Sequence, residues 1–326
     1  MDEVDFLKKL KKHFKFDLTG DDCAVLPSGN GQDLLVTADM LIEGIDFRLN
    51  WADAESVGHK SLAVSLSDIA AMGGDADWAF LTLGVPDRLW NEEFLFAFYN
   101  GFNGLANATG VRFAGGDVSR SPDGLVIDSI VLGSCPSGDA VLRSGAVPGD
   151  LICVTGELGG AAGGLRVLES GAKRTTEAAP GTRDLIIRQL KPTPQLALGN
   201  HLRIHALATA MIDVSDGLSS DLRHICEASG AGALIDAARV PLDPGLRSLD
   251  AGLLSPFASP LDAALNGGED FELLFTAPAD KRGEVEELGC YVIGEIVADR
   301  ATFDILEAGS REDLKVSGYA HFREHS

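Results

Sequence analysis

The sequence predicts an α/β (α+β) protein of two domains. At 326 residues the chain is longer than one ordinary hydrophobic core requires. Both halves mix short apolar runs, typical of strands, with longer amphipathic segments, typical of helices. A turn-rich break over residues 145–150 precedes a buried-strand pattern, so we divide the chain into domains of residues 1–147 and 148–326.

In the first half, apolar spacing predicts three helices between the strands. The helices cover residues 2–14, 53–72 and 90–109, with Asp53 as the N-cap of the second. A turn over residues 20–27 enters a short strand, and residues 111–114 run into the glycine-rich segment 115–120. The other predicted strands cover residues 33–39, 78–85 and 125–133, and the first of these ends at an acid.

The second half repeats the mixture of strands and helices. A glycine-rich segment over residues 156–164 is expected to open a helix, and another helix is expected over residues 218–229. Residues 171–183 are expected to form a surface loop. The strands are predicted over residues 151–155, 210–213, 232–236, 271–276 and 289–294.

The composition argues against several classes of function. No run of about 18 apolar residues and no signal-peptide pattern is present, so we expect neither a membrane span nor export. Five scattered cysteines without a CxxC pair argue against a disulfide framework or a zinc site and favour the cytoplasm. The net charge of −22 disfavours nucleic acid and anionic membranes as partners, although divalent cations could mediate contact with phosphates.

The second predicted helix carries an isolated acid. Asp68 is the only formal charge between Ser61 and Gly74, and nothing on its helical face neutralises it. A buried carboxylate is costly unless a cation or several hydrogen bonds receive it. Asp68 is therefore either a metal ligand or the partner of an Arg elsewhere, and this helix alone does not decide between them.

Further acids recur where apolar strands give way to loops, and glycine lies near most of them. Carboxylates supply hard oxygen ligands for magnesium, and glycine lets the backbone approach a phosphate. Each cluster alone could be ordinary turn chemistry, but their number favours a site held together by cations, the setting of metal-assisted phosphoryl transfer. These acids are Asp21, Asp22, Asp39, Asp117, Asp213, Asp216, Glu269 and Asp270.

Competing motifs are weak. The sequence has no GxxxxGK[ST] phosphate loop and no GxSxG nucleophile elbow, and none of its histidines shows metal-ligand spacing. The glycine-rich segment 156–164 superficially resembles a dinucleotide-binding loop, but its spacing is wrong and tight packing is the better interpretation.

Eight short segments together resemble the thiamine-monophosphate kinase family, within the superfamily that includes aminoimidazole ribotide synthetase and selenophosphate synthetase. The resemblance covers nearly the whole chain, and a Gly-Gly-Glu-Asp segment followed by an aromatic residue and Glu points to this kinase family. The segments are residues 20–24, 37–39, 66–73, 115–117, 143–145, 213–218, 267–272 and 318–319.

The resemblance implies an aminoimidazole ribotide synthetase-like fold whose N-terminal domain forms a homodimer. It also implies phosphorylation of thiamine monophosphate by ATP, the last step of thiamine diphosphate synthesis, with several Mg²⁺ ions in a cleft between the domains. Because the acceptor phosphate is already an anionic nucleophile, we expect direct in-line transfer and assign no catalytic side chain. Nucleic acid and membranes are not expected partners.

Site residues follow from the resemblance, position by position. The implied metal ligands are Asp22, Thr37, Ala38 (through its carbonyl), Asp39, Asp68, Asp117, Asp213 and Asp216. The implied ATP contacts are Gly116, Asp117, Arg143 and Ser215. The implied contacts to thiamine monophosphate are Asp46, Glu269 and Tyr319. Asp46 stands where many relatives have His, and an Asp cannot donate a hydrogen bond to a phosphate as His can.

Two alternatives remain open from the sequence. The first is another ATP-dependent enzyme of the same superfamily, either selenophosphate synthetase-like or a ligase that activates a carbonyl oxygen. The second is a catalytically silent binding module or dimeric structural protein. Formation of thiamine diphosphate would exclude the first, and magnesium-dependent ATP turnover with substrate would exclude the second.

Overall fold

The protein folds into two mixed β-sheets with helices around them. The structure is a computed structural model and describes residues 3–16, 18–171 and 180–319. The five-stranded sheet has the spatial order β1-β2-β5-β3-β4, and its neighbouring strands are antiparallel except the parallel pair β3–β4. Its strands are β1 (Ala24–Pro27), β2 (Gln32–Ile42), β3 (Asp75–Val85), β4 (Arg112–Arg120) and β5 (Val126–Pro136). The helices in this part of the chain are α1 (Glu3–Phe14), α2 (Ala54–Ala71) and α3 (Glu92–Thr109).

The seven-stranded sheet has the spatial order β12-β11-β8-β10-β6-β9-β7. Only its β11–β8 pair is parallel. Its strands are β6 (Leu151–Val154), β7 (Ala210–Asp213), β8 (Gly232–Asp236), β9 (Leu273–Ala277), β10 (Tyr291–Val297), β11 (Phe303–Glu307) and β12 (Ser310–Asp313). The helices here are α4 (Gly160–Glu169), α5 (Pro180–Leu190), α6 (Leu196–Ile204), α7 (Leu218–Ser229), α8 (Ala251–Leu254), α9 (Pro260–Asn266) and α10 (Arg282–Glu287).

Helix α2 lies between the two sheets and is buried on almost every side. It begins at the predicted N-cap, since the Asp53 side chain accepts a hydrogen bond of 2.7 Å from the backbone N–H of Ser56. A β-carbon at Gly58 would lie 1.9 Å from the carbonyl oxygen of Phe98, so only glycine allows α3 to cross this closely. At the other end, Ala70 and Ala71 pack in a core cluster with residues of the seven-stranded sheet. Side chains of α2 can therefore reach acids from both parts of the chain.

Two predicted strand ends are wrong, because the acids lie inside strands. β2 continues past Asp39 to Ile42 and pairs with β5 along its whole length. Asp117 lies within β4, beside β3. Asp is rarely found in strands. Here, however, Asp39 accepts hydrogen bonds from neighbouring hydroxyl groups, and pairing with β5 extends the strand past it.

The other predicted elements differ from the structure mainly in the second half of the chain. The three predicted helices of the first half agree with α1, α2 and α3 to within two residues over the described part of the chain. Most of the loop predicted over residues 171–183 lies outside the described residues, but residues 180–183 form the first turn of α5, so the prediction is wrong there. Strands β11 and β12 were not predicted; all four β12 residues are exposed and polar, without the apolar alternation that marks a strand.

Across the described ranges, no helix combines the length and apolar character needed to span a membrane.

Candidate active site

Three acids from distant parts of the chain meet between the two sheets. Asp22 lies in the loop before β1, Asp68 lies on α2 and Asp213 ends β7. One carboxylate oxygen of each lies within 4.8 Å of the other two. The structure therefore brings together the solitary helical acid and two of the acids expected near strand ends. We call these three residues the carboxylate cluster.

Hydroxyl groups hold the carboxylate cluster and its neighbour Asp39 in place. The Thr37 hydroxyl on β2 donates a hydrogen bond to Asp68. Ser65 and Ser67 of α2 donate hydrogen bonds of 2.7 Å to Asp39 and Asp213, respectively.

Thr37 and Asp39 can both face α2 because alternate residues of a strand point to the same side of the sheet. Ala38 between them faces the opposite side, so only its backbone could serve the site.

Arg143 places a cation beside the carboxylate cluster. Its guanidinium lies 2.6 Å from Asp22, and its backbone N–H donates a hydrogen bond of 2.8 Å to Asp21. The second carboxylate oxygen of Asp22 is buried and has no partner among the described residues. A buried oxygen without a partner is costly, so it fits a site for a bound cation.

Burial raises the pKa values of these acids. The pKa of Asp213 rises to about 8, because the carboxylate is desolvated and lies near Asp22. Burial, followed by the charges of Asp39 and Asp213, raises the pKa of Asp68 well above its usual range. Burial also raises the pKa of Asp22, although Arg143 opposes the shift. A bound divalent cation would offset the cost of burying these negative charges and would favour the ionised carboxylates. Carboxylate oxygens are also the ligands that magnesium prefers.

A second group that could hold a cation lies on and before α7. Ligand atoms of Asp216, Asp221 and His224 lie within 4.8 Å of one another. Asp216 was predicted from the sequence as a site residue, whereas Asp221 and His224 were not. Their spacing of three residues on a helix, which places side chains on one face, is the signal that could have found them.

A cavity of about 1000 Å³ opens beside these acids. Its apolar wall includes Trp51, Phe257 and Phe271. Such a wall with a few convergent polar groups is typical of a small-molecule site. Six of the predicted site residues also line the cavity: Asp39, Asp46, Ser215, Asp216, Glu269 and Tyr319.

Two of these residues have well-defined local contacts. Asp46 accepts a hydrogen bond of 2.7 Å from the backbone N–H of Ile42, so its side chain closes the turn after β2. Tyr319 is half exposed, and its backbone N–H donates to the carbonyl of Asp216 at 3.0 Å. Asp46 thus has a structural role in this turn.

Gly116 and Asp117 lie apart from the two acidic groups. Both belong to β4, the edge strand of its sheet, and Asp117 is exposed. Among the described residues, neither candidate cation group includes Asp117. Gly116 has a φ of +153°, and a β-carbon there would lie 1.8 Å from the carbonyl oxygen of Leu81, so the position requires glycine for packing.

The glycine-rich segment before α4 does not offer an open helix N-terminus. The buried carboxylate of Asp270 accepts hydrogen bonds of 2.5 and 3.0 Å from the backbone N–H groups of Gly159 and Ala161. A β-carbon at Gly164 would lie 2.0 Å from the carbonyl of Leu185 on α5. These contacts support the tight-packing interpretation, because an acid already occupies the place where a phosphate would bind.

Two known protein families match the chain. Residues 20–135 match the family described as AIR synthase related protein, N-terminal domain, and residues 147–306 match the corresponding C-terminal domain family. The fold and these two family matches define an AIR synthase-related protein.

The more specific relatives are kinases. The thiamine-monophosphate kinase of Salmonella typhimurium is 39% identical over 310 residues, which cover 93% of this chain and 91% of the relative. The solved structure described as AaThiL complexed with AMPPCP and TMP is 30% identical, with a TM-score of 0.86 over 98% of this chain and 97% of that one. The crystal structure of thiamine-monophosphate kinase from Stenotrophomonas maltophilia K279a is 37% identical, with a TM-score of 0.77 over 91% of this chain and 93% of that one. The chain belongs to the thiamine-monophosphate kinase family.

Proposed function

We propose that this protein transfers the terminal phosphoryl group of ATP directly to the phosphate of thiamine monophosphate and so forms thiamine diphosphate. The observation that carries the proposal is the meeting of Asp22, Asp68 and Asp213 beside a cavity of about 1000 Å³, in a chain of this family. Asp39 links the two features, because it lines the cavity and shares the Thr37 hydroxyl with Asp68.

The proposed metal is magnesium, several ions of it, and the donor set fits. The carboxylate cluster supplies buried hard oxygens, one of which has no partner among the described residues. Bound magnesium supplies charge neutralisation for the two phosphates and for the transferring group. The proposed ligands are Asp22, Thr37, Ala38, Asp39, Asp68, Asp117, Asp213 and Asp216.

The proposed binding residues divide between nucleotide and acceptor. Arg143 pairs with Asp22, but about a quarter of its side chain stays exposed and its buried Nε has no hydrogen-bond partner among the described residues, so the guanidinium keeps an unused donor for a phosphate. The solved relative complexed with AMPPCP and TMP supports binding of both ligands by this fold. The proposed ATP contacts are Gly116, Asp117, Arg143 and Ser215, and the proposed acceptor contacts are Asp46, Glu269 and Tyr319.

The chain's own residues need only bind, orient and shield the reactants. The acceptor oxygen of thiamine monophosphate is anionic near neutral pH, so no side chain has to remove a proton from it. The main barrier is to bring two anions together in line, which a preorganised site lowers by positioning. We therefore propose no covalent enzyme intermediate.

We also propose that the protein is a homodimer, formed through the five-stranded sheet of the proposed N-terminal domain, residues 1–147. One face of this sheet packs against the core, while the other carries apolar rows that are only partly covered, for example by the Arg112 guanidinium over the ring of Trp78. Val36, Leu132 and Trp78 form one such row, and all three are partly or largely exposed. Ala38, Ile130 and Phe80 form the next row. A second copy would bury this face.

Residues 148–326 are the proposed C-terminal domain. The cytoplasmic location stays a prediction.

Product identification tests the proposed activity. The purified protein is incubated with ATP, Mg²⁺ and thiamine monophosphate, and the products are identified by mass spectrometry. We expect thiamine diphosphate and ADP in equal amounts. ATP consumption without thiamine diphosphate would favour another ATP-dependent enzyme of the superfamily, and no ATP turnover would favour a silent binding module.

A further inference from the structure

A buried lysine on α2 contacts Glu269, the residue proposed to bind the acceptor, at the wall of the cavity. Lys60 is 3% exposed, and its ammonium group lies 2.7 Å from one carboxylate oxygen of Glu269. The amide of Gln189, itself 4% exposed, donates a hydrogen bond to the other oxygen. All three side chains line the same cavity. We propose that Lys60 and Gln189 are positioning residues, which fix Glu269 for recognition of thiamine monophosphate.

The three residues come from separate elements. Lys60 lies on α2, Gln189 lies on α5 and Glu269 follows α9. Glu269 has a φ of +68°, a conformation that is unfavourable for a residue with a side chain, and its backbone N–H donates to the carbonyl of Ser215 at 2.8 Å. Contacts from other parts of the chain therefore fix both the backbone and the side chain of Glu269. Its side chain still keeps 28% of its surface exposed, so it can accept a hydrogen bond from a ligand in the cavity.

Stability alone does not explain this arrangement. A buried ion pair pays a desolvation cost that often cancels its attraction, and well-packed apolar residues are frequently as stable. Burying Lys60 beside a cavity is therefore better explained by the orientation that it gives to Glu269. Residues strained in backbone conformation also cluster at binding sites.

Helix α2 connects this pair to the carboxylate cluster. Lys60 and Asp68 lie eight residues apart on one helix, which corresponds to about 12 Å of helical rise. A rigid helix therefore fixes the spacing between the residue that orients Glu269 and an acid that would hold the metal. This spacing places acceptor recognition and phosphoryl transfer about two helical turns apart on one element.

The test compares two lysine variants that remove the same charge. Lys60→Met removes the contact to Glu269 in the cavity. Lys191→Met is the matched control, because Lys191 follows α5 and lies 2.6 Å from Glu55 of α2 but does not line the cavity. The kcat and the KM values for thiamine monophosphate and for ATP are measured for both variants, with circular dichroism and gel filtration as checks of folding.

The positioning role, which rests on the proposed function, predicts separate effects on the two substrates. In Lys60→Met the KM for thiamine monophosphate should rise about tenfold or more, while the KM for ATP changes less than about twofold. Lys191→Met should change neither value by more than about twofold. A folded Lys60→Met protein with an unchanged KM for thiamine monophosphate, or with equal rises for both substrates, would overturn the positioning role.

A second variant and a binding measurement cover the other outcomes. If Lys60→Met does not fold, Gln189→Met tests the positioning role instead. In that variant we expect the KM for thiamine monophosphate to rise about threefold or more, without a matching rise in the KM for ATP. An unchanged value in that folded variant would overturn the inference. A wild-type protein without activity would refute the proposed function, and calorimetric binding of thiamine monophosphate to the same variants would then decide the positioning role. No binding to the wild type would refute both.

Discussion

Ser67 of α2 donates a hydrogen bond of 2.7 Å to Asp213 at the end of β7. Helix α2 packs against the five-stranded sheet, while β7 is an edge strand of the seven-stranded sheet. Both side chains are almost completely buried. A hydroxyl group from one part of the chain therefore orients a candidate metal ligand from the other, and the carboxylate cluster depends on how the two parts pack.

Removal of the Ser67 hydroxyl should weaken magnesium binding without unfolding the protein. Groups that orient metal ligands typically contribute about 10- to 100-fold to metal affinity. We therefore expect Ser67→Ala to raise the Mg²⁺ concentration for half-maximal activity about tenfold or more. Ser61→Ala is the control, since that buried hydroxyl donates only to the carbonyl of Gly58 in the same helix. Equal magnesium dependence of both variants would show that Ser67 does not orient a ligand.

Asp68→Asn should keep the fold and lose most of the activity. The amide preserves the shape of the side chain and can still accept the hydrogen bond from Thr37, but it removes the charge that would bind magnesium. We expect kcat to fall about 100-fold or more, with an unchanged far-ultraviolet circular dichroism spectrum. Near-normal turnover in the folded variant would refute the metal-ligand role. An unfolded variant would instead indicate that Asp68 has a structural role.

Without divalent cations, stability should fall as the pH rises. The pKa of Asp213 is about 8 in the folded protein against an ordinary value of 3.8, so the folded state binds the proton more tightly. Its contribution to stability is fully present below about pH 4 and is lost as the pH rises through about 8. Asp68 and Asp39, whose pKa values are also raised by burial, act in the same direction.

Thermal unfolding in a chelator measures this dependence. We expect a lower Tm at about pH 8.5 than at about pH 6. Added Mg²⁺ should raise the Tm more at the higher pH, where the acids are ionised and free to bind it. Asp68→Asn should have a shallower pH dependence, because it lacks one of the buried acids. A Tm that rises with pH in the chelator would contradict the raised pKa values.

The sequence identified the three acids of the carboxylate cluster, but not the surroundings that hold them together. Asp68 was identifiable because a lone charge on an apolar helix must find a partner, and Asp53 was identifiable as an N-cap from local chemistry alone. The extent of β2 was not identifiable, because Asp39 depends on hydroxyl groups from α2 and on pairing with β5. Tertiary contacts of this kind override local preference.

Lys60 illustrates a different limit. It lies one residue before the stretch from Ser61 to Gly74, in which Asp68 is the only formal charge, and a lysine on a helix is usually exposed. Its burial depends on Glu269, which lies more than 200 residues away in the chain. The sequence offers one signal: Lys60 lies within the same long apolar helix as Asp68, where any charge requires a partner.

Transfer of a labelled phosphoryl group tests the central claim most directly. The protein is supplied with γ-labelled ATP and Mg²⁺, with either thiamine monophosphate or free thiamine as acceptor, and the label is followed in products and in acid-quenched protein. Direct transfer to an anionic acceptor predicts label in the terminal phosphate of thiamine diphosphate, little or no reaction with thiamine, and no labelled protein. Efficient conversion of thiamine to its monophosphate would contradict the acceptor assignment, and a chemically competent phosphoenzyme would contradict direct transfer.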